Sequence, residues 1–171
     1  QRFSEDYLRI LRALRFSAVL DFSIEEQTAA AIRELALLTA DIPPDRTFEE
    51  LKKLFSSPHN LRLEKLLADF NDVFKILFPD TNLQNATKRI GKLQNETNFI
   101  LKLAIIFSKA NLSDCFLLQH EHFLSKSDEK LFHSLIYIDS RKLQTRENVI
   151  KQITLLGKEN FKLLSALKES Y

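Results

Sequence analysis

Glycine is almost missing from this chain: of 171 residues only Gly91 and Gly157 are glycine. That excludes a glycine-rich phosphate loop and disfavours a sheet turned by many tight hairpins. Tryptophan and methionine are absent, and Cys115 is the single cysteine. No intrachain disulfide can form, which fits a reducing, cytoplasmic setting. No apolar run approaches the roughly 20 residues of a membrane span, so no membrane partner is expected. No uninterrupted apolar core follows a basic start, so no signal peptide is expected either. The formal net charge is only +2, and any nucleic-acid contact would have to come from local patches. With no initiating methionine and a motif that starts at residue 1, the chain reads as a piece of a longer protein.

What is present is helical punctuation. Ser4 can cap a first helix that runs to about Leu20, with Glu5 and Asp6 in its first turn. Asp21-Phe22 breaks it, and Ser23 with Glu26 has the spacing of a capping box for a second helix through about Thr39. Asp41-Ile42-Pro43-Pro44 is the clearest stop. A third helix over about 45–55 places Phe48, Leu51, Leu54 and Phe55 on one face. Ser57-Pro58 marks a boundary, followed by helices over about 61–70 and 74–78 that end at Pro79-Asp80. Further helices are predicted near 86–93, 97–109, 113–122, 127–138, 145–156 and 158–169, with Thr145 a cap and Gly157 a separator. No strand-like alternation appears. The fold class is all-α, a series of short antiparallel helix pairs divided into 1–57, 58–138 and 139–171.

The first helix carries the chemistry. At about 100° per residue, Glu5, Arg9 and Arg12 fall on one side with Asp6 at its edge, opposite Tyr7, Ile10, Leu11, Leu14 and Ala18. Such a helix packs by one face and offers an acid–arginine pair with the other. Cytosine and adenine both present an exocyclic amino donor beside a ring-nitrogen acceptor. A carboxylate accepts from the first and a guanidinium donates to the second. Uracil and guanine place an oxygen where the amino group would be, leaving two acceptors face to face. Asp6 and Arg9 therefore suit C or A, Glu5 can hold Arg9 by an i,i+4 pair, and Arg12 and Arg15 are candidates for phosphate contact. The plain alternative is a solvated helix face with an ordinary ion pair.

The segment Arg2 to Phe22, which reads R-F-x-E-D-x-L-R-I-L-R-A-x-R-F-x-A-x-L-x-F, resembles the neck entry of the class II tRNA nucleotidyltransferase and poly(A) polymerase family. Ser23 to Thr28 is similar to that family's second neck helix, Ile42 to Leu54 to its "I-S-x-E-R-I-x-x-E-L-x-K-L-L" element, and Leu66-Leu67 through Leu77-Phe78-Pro79 to its "L-L…L-x-x-L-F-P" ending. The resemblance spans about residues 1–80. It implies a neck over 1–57 for base recognition and RNA binding, a helical body over 58–138, and a body end or tail start over 139–171. It implies nucleotide binding by Glu5, Asp6, Arg9, Arg12 and Arg15, with Arg46 and Glu50 bracing the neck. The implied function is nucleotide selection and tRNA binding in an enzyme that uses CTP and ATP to add C and A to tRNA 3′ ends. The family's catalytic head, with its D-x-D carboxylates for Mg²⁺, would precede this motif. This chain is therefore expected to be inactive alone and to bind no metal. Pro43-Pro44 departs from the commoner serine form and is similar to the poly(A) polymerase branch, the leading alternative. A head-less RNA-binding or adaptor module and a helical protein-interaction domain are rivals from other classes.

Weaker signals are read blandly. His120 and His122 stand two apart, about 200° around a helix, and cannot easily share one ion. His59 and His133 are isolated, and no histidine is followed by aspartate, so no HD-type phosphohydrolase is expected. Cys115 reads as a small buried residue. The lysines and arginines from Arg141 to Lys168 could touch an RNA backbone but also suit a solvated helix face. Phe48 with Phe55, and Phe70 with Phe74 and Phe78, read as core.

Overall fold

The computed structural model of the chain describes residues 6–79, 81–93, 95–107 and 123–137, together with Glu147, Lys162, Leu163 and Ala166. Among the described residues every regular element is helical, as the periodicity predicts. Ser4, Glu5, Cys115, His120, His122, Thr145, the helix predicted at 113–122 and most of the two near 145–156 and 158–169 lie outside them.

Helix α1 spans Leu8–Leu20 and buries Ile10, Leu11, Leu14, Ser17 and Ala18, the face that the 3.6-residue period selects. It ends where Asp21 enters the left-handed region at φ 56°. The N–H groups of Asp21 and Phe22 both donate to Ser17 O, and the Ser17 hydroxyl donates to Phe22 O. Aspartate tolerates this conformation better than most residues, so the break needs no glycine.

Helix α2 spans Glu26–Glu34, and here two expectations are corrected. Glu25, not Ser23, is the cap: its carboxylate accepts from Gln27 N at 3.0 Å and Thr28 N at 2.9 Å. Those two backbone bonds hold its carboxyl below the usual range, and a negative charge there also suits the positive end of the helix. The predicted run to Thr39 instead stops at Glu34, and a 3₁₀ segment covers Ala36–Asp41. With three residues per turn, Ala36 and Thr39 fall on the same side, and both are buried. The Thr39 hydroxyl closes the turn on Ala36 O at 2.6 Å, while Leu37 points out and is 78% exposed.

Helix α3 spans Pro44–Phe55 and begins on Pro44, whose fixed φ suits a first helical position. Phe48, Leu51, Leu54 and Phe55 are buried as predicted. Then follow α4 (Asn60–Asp69), α5 (Asn71–Leu77), α6 (Leu83–Gly91), α7 (Phe99–Phe107) and α8 (Lys126–Tyr137). Helix α6 starts ahead of the predicted residue 86 because the Asn82 side chain accepts from Asn85 N at 3.1 Å.

Helix α1 packs on α3 and α4, α4 on α6, the 3₁₀ segment on α5, and α7 on α3, α6 and α8. Helix α7 is buried on every side, Lys102 included. A chain of rings runs through the core. Phe55 lies 6.0 Å from Phe78, Phe78 5.6 Å from Phe107, and Phe107 6.0 Å from Phe132. The Phe78–Phe107 and Phe107–Phe132 contacts are edge-to-face, the geometry that ring quadrupoles favour. All four rings are at most 1% exposed, and burying such a side chain contributes roughly 1.5–3 kcal/mol. This core continues across the Ser57-Pro58 turn. The Ser57 hydroxyl donates to Ala18 O at 2.7 Å and accepts from His59 N at 3.1 Å, and Lys102 Nζ donates to Ser57 O at 2.5 Å.

Candidate functional site

The site that the sequence singles out is the outward face of α1. Asp6 stands just ahead of the helix, and its Oδ1 accepts from Leu8 N at 3.1 Å, which orients the carboxylate by the helix start. Its Oδ2 lies 3.9 Å from Arg9 Nε, and both side chains are 41% exposed. A carboxylate acceptor and a guanidinium donor thus sit side by side within reach of a ligand. Chemically, such a pair can accept from an amino group and donate to a neighbouring ring nitrogen. Arg12 follows on the next turn, exposed and in no ion pair among the described residues. Glu5 lies outside the described residues.

Arg15 takes a different place from the other three. It lies about 40° round the helix from buried Leu11, so it leans toward α3 rather than outward. Its Nε is 2.8 Å from Glu50 Oε2, and the two side chains are only 18% and 12% exposed. The Nε–H is not aimed along that contact, which makes it a charge pair rather than an aligned hydrogen bond. The Arg15 guanidinium also covers the Phe16 ring, 4.1 Å from its centroid. Glu50 is therefore joined to α1. Arg46, one turn before it on α3, is exposed and makes no ion pair among the described residues.

The far end of α1 is held by groups that sequence reasoning missed. Arg62 on α4 donates from Nε to Asp21 Oδ1 at 3.0 Å and from Nη2 to Asp21 O at 3.3 Å. Only the fold brings these residues together, 41 positions apart. Lys102 was hidden in a wholly apolar string; burial pulls its ammonium down to about 8, with Glu96 opposing the shift.

Among the described residues no group of three or more His, Cys, Asp or Glu could hold a metal ion. His59 is exposed, and His133 lies 4.0 Å from Glu129 one turn away. No helix among the described residues is long and apolar enough to cross a membrane.

The family match found by comparison with known proteins begins just after α1. A family described as the probable RNA- and SrmB-binding site of polymerase A matches residues 21–84. Poly(A) polymerase I of Escherichia coli O6:H1 is 45% identical over 78 residues, which are 46% of this chain and 17% of that protein. The CCA-adding enzyme of Lactococcus lactis subsp. cremoris is 44% identical over 82 residues, 43% of this chain and 20% of the enzyme. The matched segment thus spans a fifth or less of these relatives' length. A solved structure described as that of tRNA-processing enzyme complex 3 superposes with a TM-score of 0.68 at 19% identity, over 98% of this chain and 51% of the other. At that identity it establishes the shared all-helical fold.

Proposed function

We propose that this chain, similar over residues 21–84 to the RNA-binding region of poly(A) polymerases and in part to a CCA-adding enzyme, selects the incoming nucleotide and binds tRNA for an enzyme of the class II nucleotidyltransferase family that adds C and A to tRNA 3′ ends. The observation that carries the reading is the Asp6–Arg9 pair, acceptor beside donor on an exposed helix face. In this role Asp6 accepts from the amino group of CTP or ATP and Arg9 donates to the neighbouring ring nitrogen. UTP and GTP are refused because their oxygen would face the carboxylate. Glu5 supports Arg9. Arg12 faces the phosphates, while Arg15 acts indirectly, joining α1 to α3 through Glu50. Arg46, exposed on α3 and in no ion pair among the described residues, is left to brace the neck against the rest of the enzyme. Residues 1–57 then form a neck, 58–138 a body, and 139–171 a body end or tail start, in a cytoplasmic enzyme. In this reading the chain's share of the reaction is selection and binding. Metal-assisted transfer belongs to a catalytic head that this sequence does not include.

The test is single-nucleotide incorporation by the full-length enzyme on trimmed tRNA. Asp6→Ala and Arg9→Ala are expected to reduce discrimination against UTP and GTP by the order of 10- to 100-fold, the worth of one base-edge contact pair. Variants that still incorporate only C and A at normal rates would remove the selecting role. The second reading, poly(A) polymerase, is favoured by Pro43-Pro44 and by the likeness to poly(A) polymerase I. Wild-type incorporation of A without C in the same assay would establish it.

A further inference from the structure

Helices α4, α5 and α6 enclose an open cleft of about 1300 Å³ on a part of the molecule that the α1 site does not use. Each wall contributes one lysine to the lining: Lys65 from α4, Lys75 from α5 and Lys88 from α6. All three are exposed, and none pairs with a carboxylate among the described residues. Two acids, Glu64 and Asp69, also line the cleft. The Glu64 carboxylate lies against Gly91, where a Cβ would collide with it, so it is drawn toward the α6 backbone. Asn71, Asn82 and Gln84 add amides that both donate and accept. No aromatic ring lines the cleft among the described residues, so it offers no stacking platform. Leucines from α4 and α6 also line it, while its lysines and amides suit phosphate and ribose.

We propose that this cleft binds the phosphodiester backbone of single-stranded RNA through Lys65, Lys75 and Lys88. The proposal rests on the RNA-binding reading above and gives it a location, since Lys65 and Lys75 fall within residues 21–84. A single strand is favoured over a duplex by shape. The walls are helices of 10, 7 and 9 residues set around a concavity. An A-form helix is recognised across a broad outer surface, whereas a single strand can thread a charged groove. The cleft is separate from the Asp6–Arg9 pair, so strand binding and nucleotide choice are independent properties of the chain.

The experiment is fluorescence anisotropy on the full chain across a salt series. The probes are labelled oligo(A), a mixed-sequence strand of equal length, and a duplex of that length. Wild type is expected to bind both single strands alike and the duplex more weakly. The Lys65→Ala/Lys75→Ala/Lys88→Ala variant is expected to lose at least about tenfold in affinity near 0.1 M salt. Its slope of log affinity against log salt should flatten by about two, at roughly 0.7 per phosphate contact on a single strand. The matching triple arginine variant should keep both affinity and slope, which separates lost charge from lost fold. An alanine variant that binds like wild type, an arginine variant that fails, or a duplex that binds equally well each overturns the cleft assignment alone. A wild-type chain with no salt-sensitive affinity for any of these RNAs, tRNA included, overturns the RNA-binding reading itself.

Discussion

The two ends of α1 are built on opposite principles. At its amino end, Asp6 and Arg9 form a loose pair 3.9 Å apart, each side chain 41% exposed. At its carboxyl end, Ser17 and Ser57 are buried, Asp21 takes a left-handed cap clasped by Arg62, and Lys102 reaches the same junction with no exposed surface at all. Exposed ion pairs are worth little in stability because water competes for them. A buried polar group costs much more when its partner is removed. The difference teaches that stability and accessibility are divided along one helix: the exposed end is cheap to alter, and the end that fixes its direction is not.

The largest test of that contrast concerns Lys102. Its folded value near 8 lies below the 10.5 of an ordinary lysine, so between those values the unfolded chain binds more protons and stability rises with pH. Below about pH 8 the burden of the buried charge is fully present; by about pH 10.5 it is relieved, a gain of roughly 3 kcal/mol. The urea midpoint of wild type should therefore rise from pH 8 to pH 10 relative to Lys102→Met, which lacks the titrating group. Parallel curves for the two proteins would mean that this end is less dry than its packing implies. Next in size is Ser57→Ala, which leaves Ala18 O and His59 N without their side-chain partner. It should cost about 2 kcal/mol by chemical denaturation. Smallest is Asp6→Ala, which removes one helix-start bond and one exposed ion pair and should cost no more than about 1 kcal/mol, whatever it does to the proposed nucleotide discrimination. Equal losses for Ser57→Ala and Asp6→Ala would break the comparison.

Local periodicity carried much of the fold. The buried face of α1 and the phenylalanines of α3 to α5 were legible because a 3.6-residue repeat and burial agree there. The end of α2 was not. Its apolar spacing fits a helix or a tighter turn, and the 3₁₀ turn that buries Ala36 and Thr39 packs on α5, a contact the local sequence does not show. Local spacing selects Ser23 as the cap of α2, but Glu25 takes that place because its carboxylate reaches two backbone N–H groups. At the site, Asp6 and Arg9 were visible as neighbours on one face. The Arg15–Glu50 pair was hidden, because Glu50 has Arg46 one turn away and only the crossing of α1 over α3 decides between the two arginines. Contacts such as Arg62 with Asp21, and the convergence of three lysines from three helices, have no signature at short range.

The ring chain through Phe55, Phe78, Phe107 and Phe132 sets a minimum size for any useful dissection of this molecule. A fragment trimmed to the family match at residue 84 would strip Phe78 of its edge-on neighbour Phe107 and Ser57 of the ammonium that caps its carbonyl. Helix α1 therefore borrows its rigidity from sequence that carries no motif, and the smallest autonomous unit has to extend at least through α8.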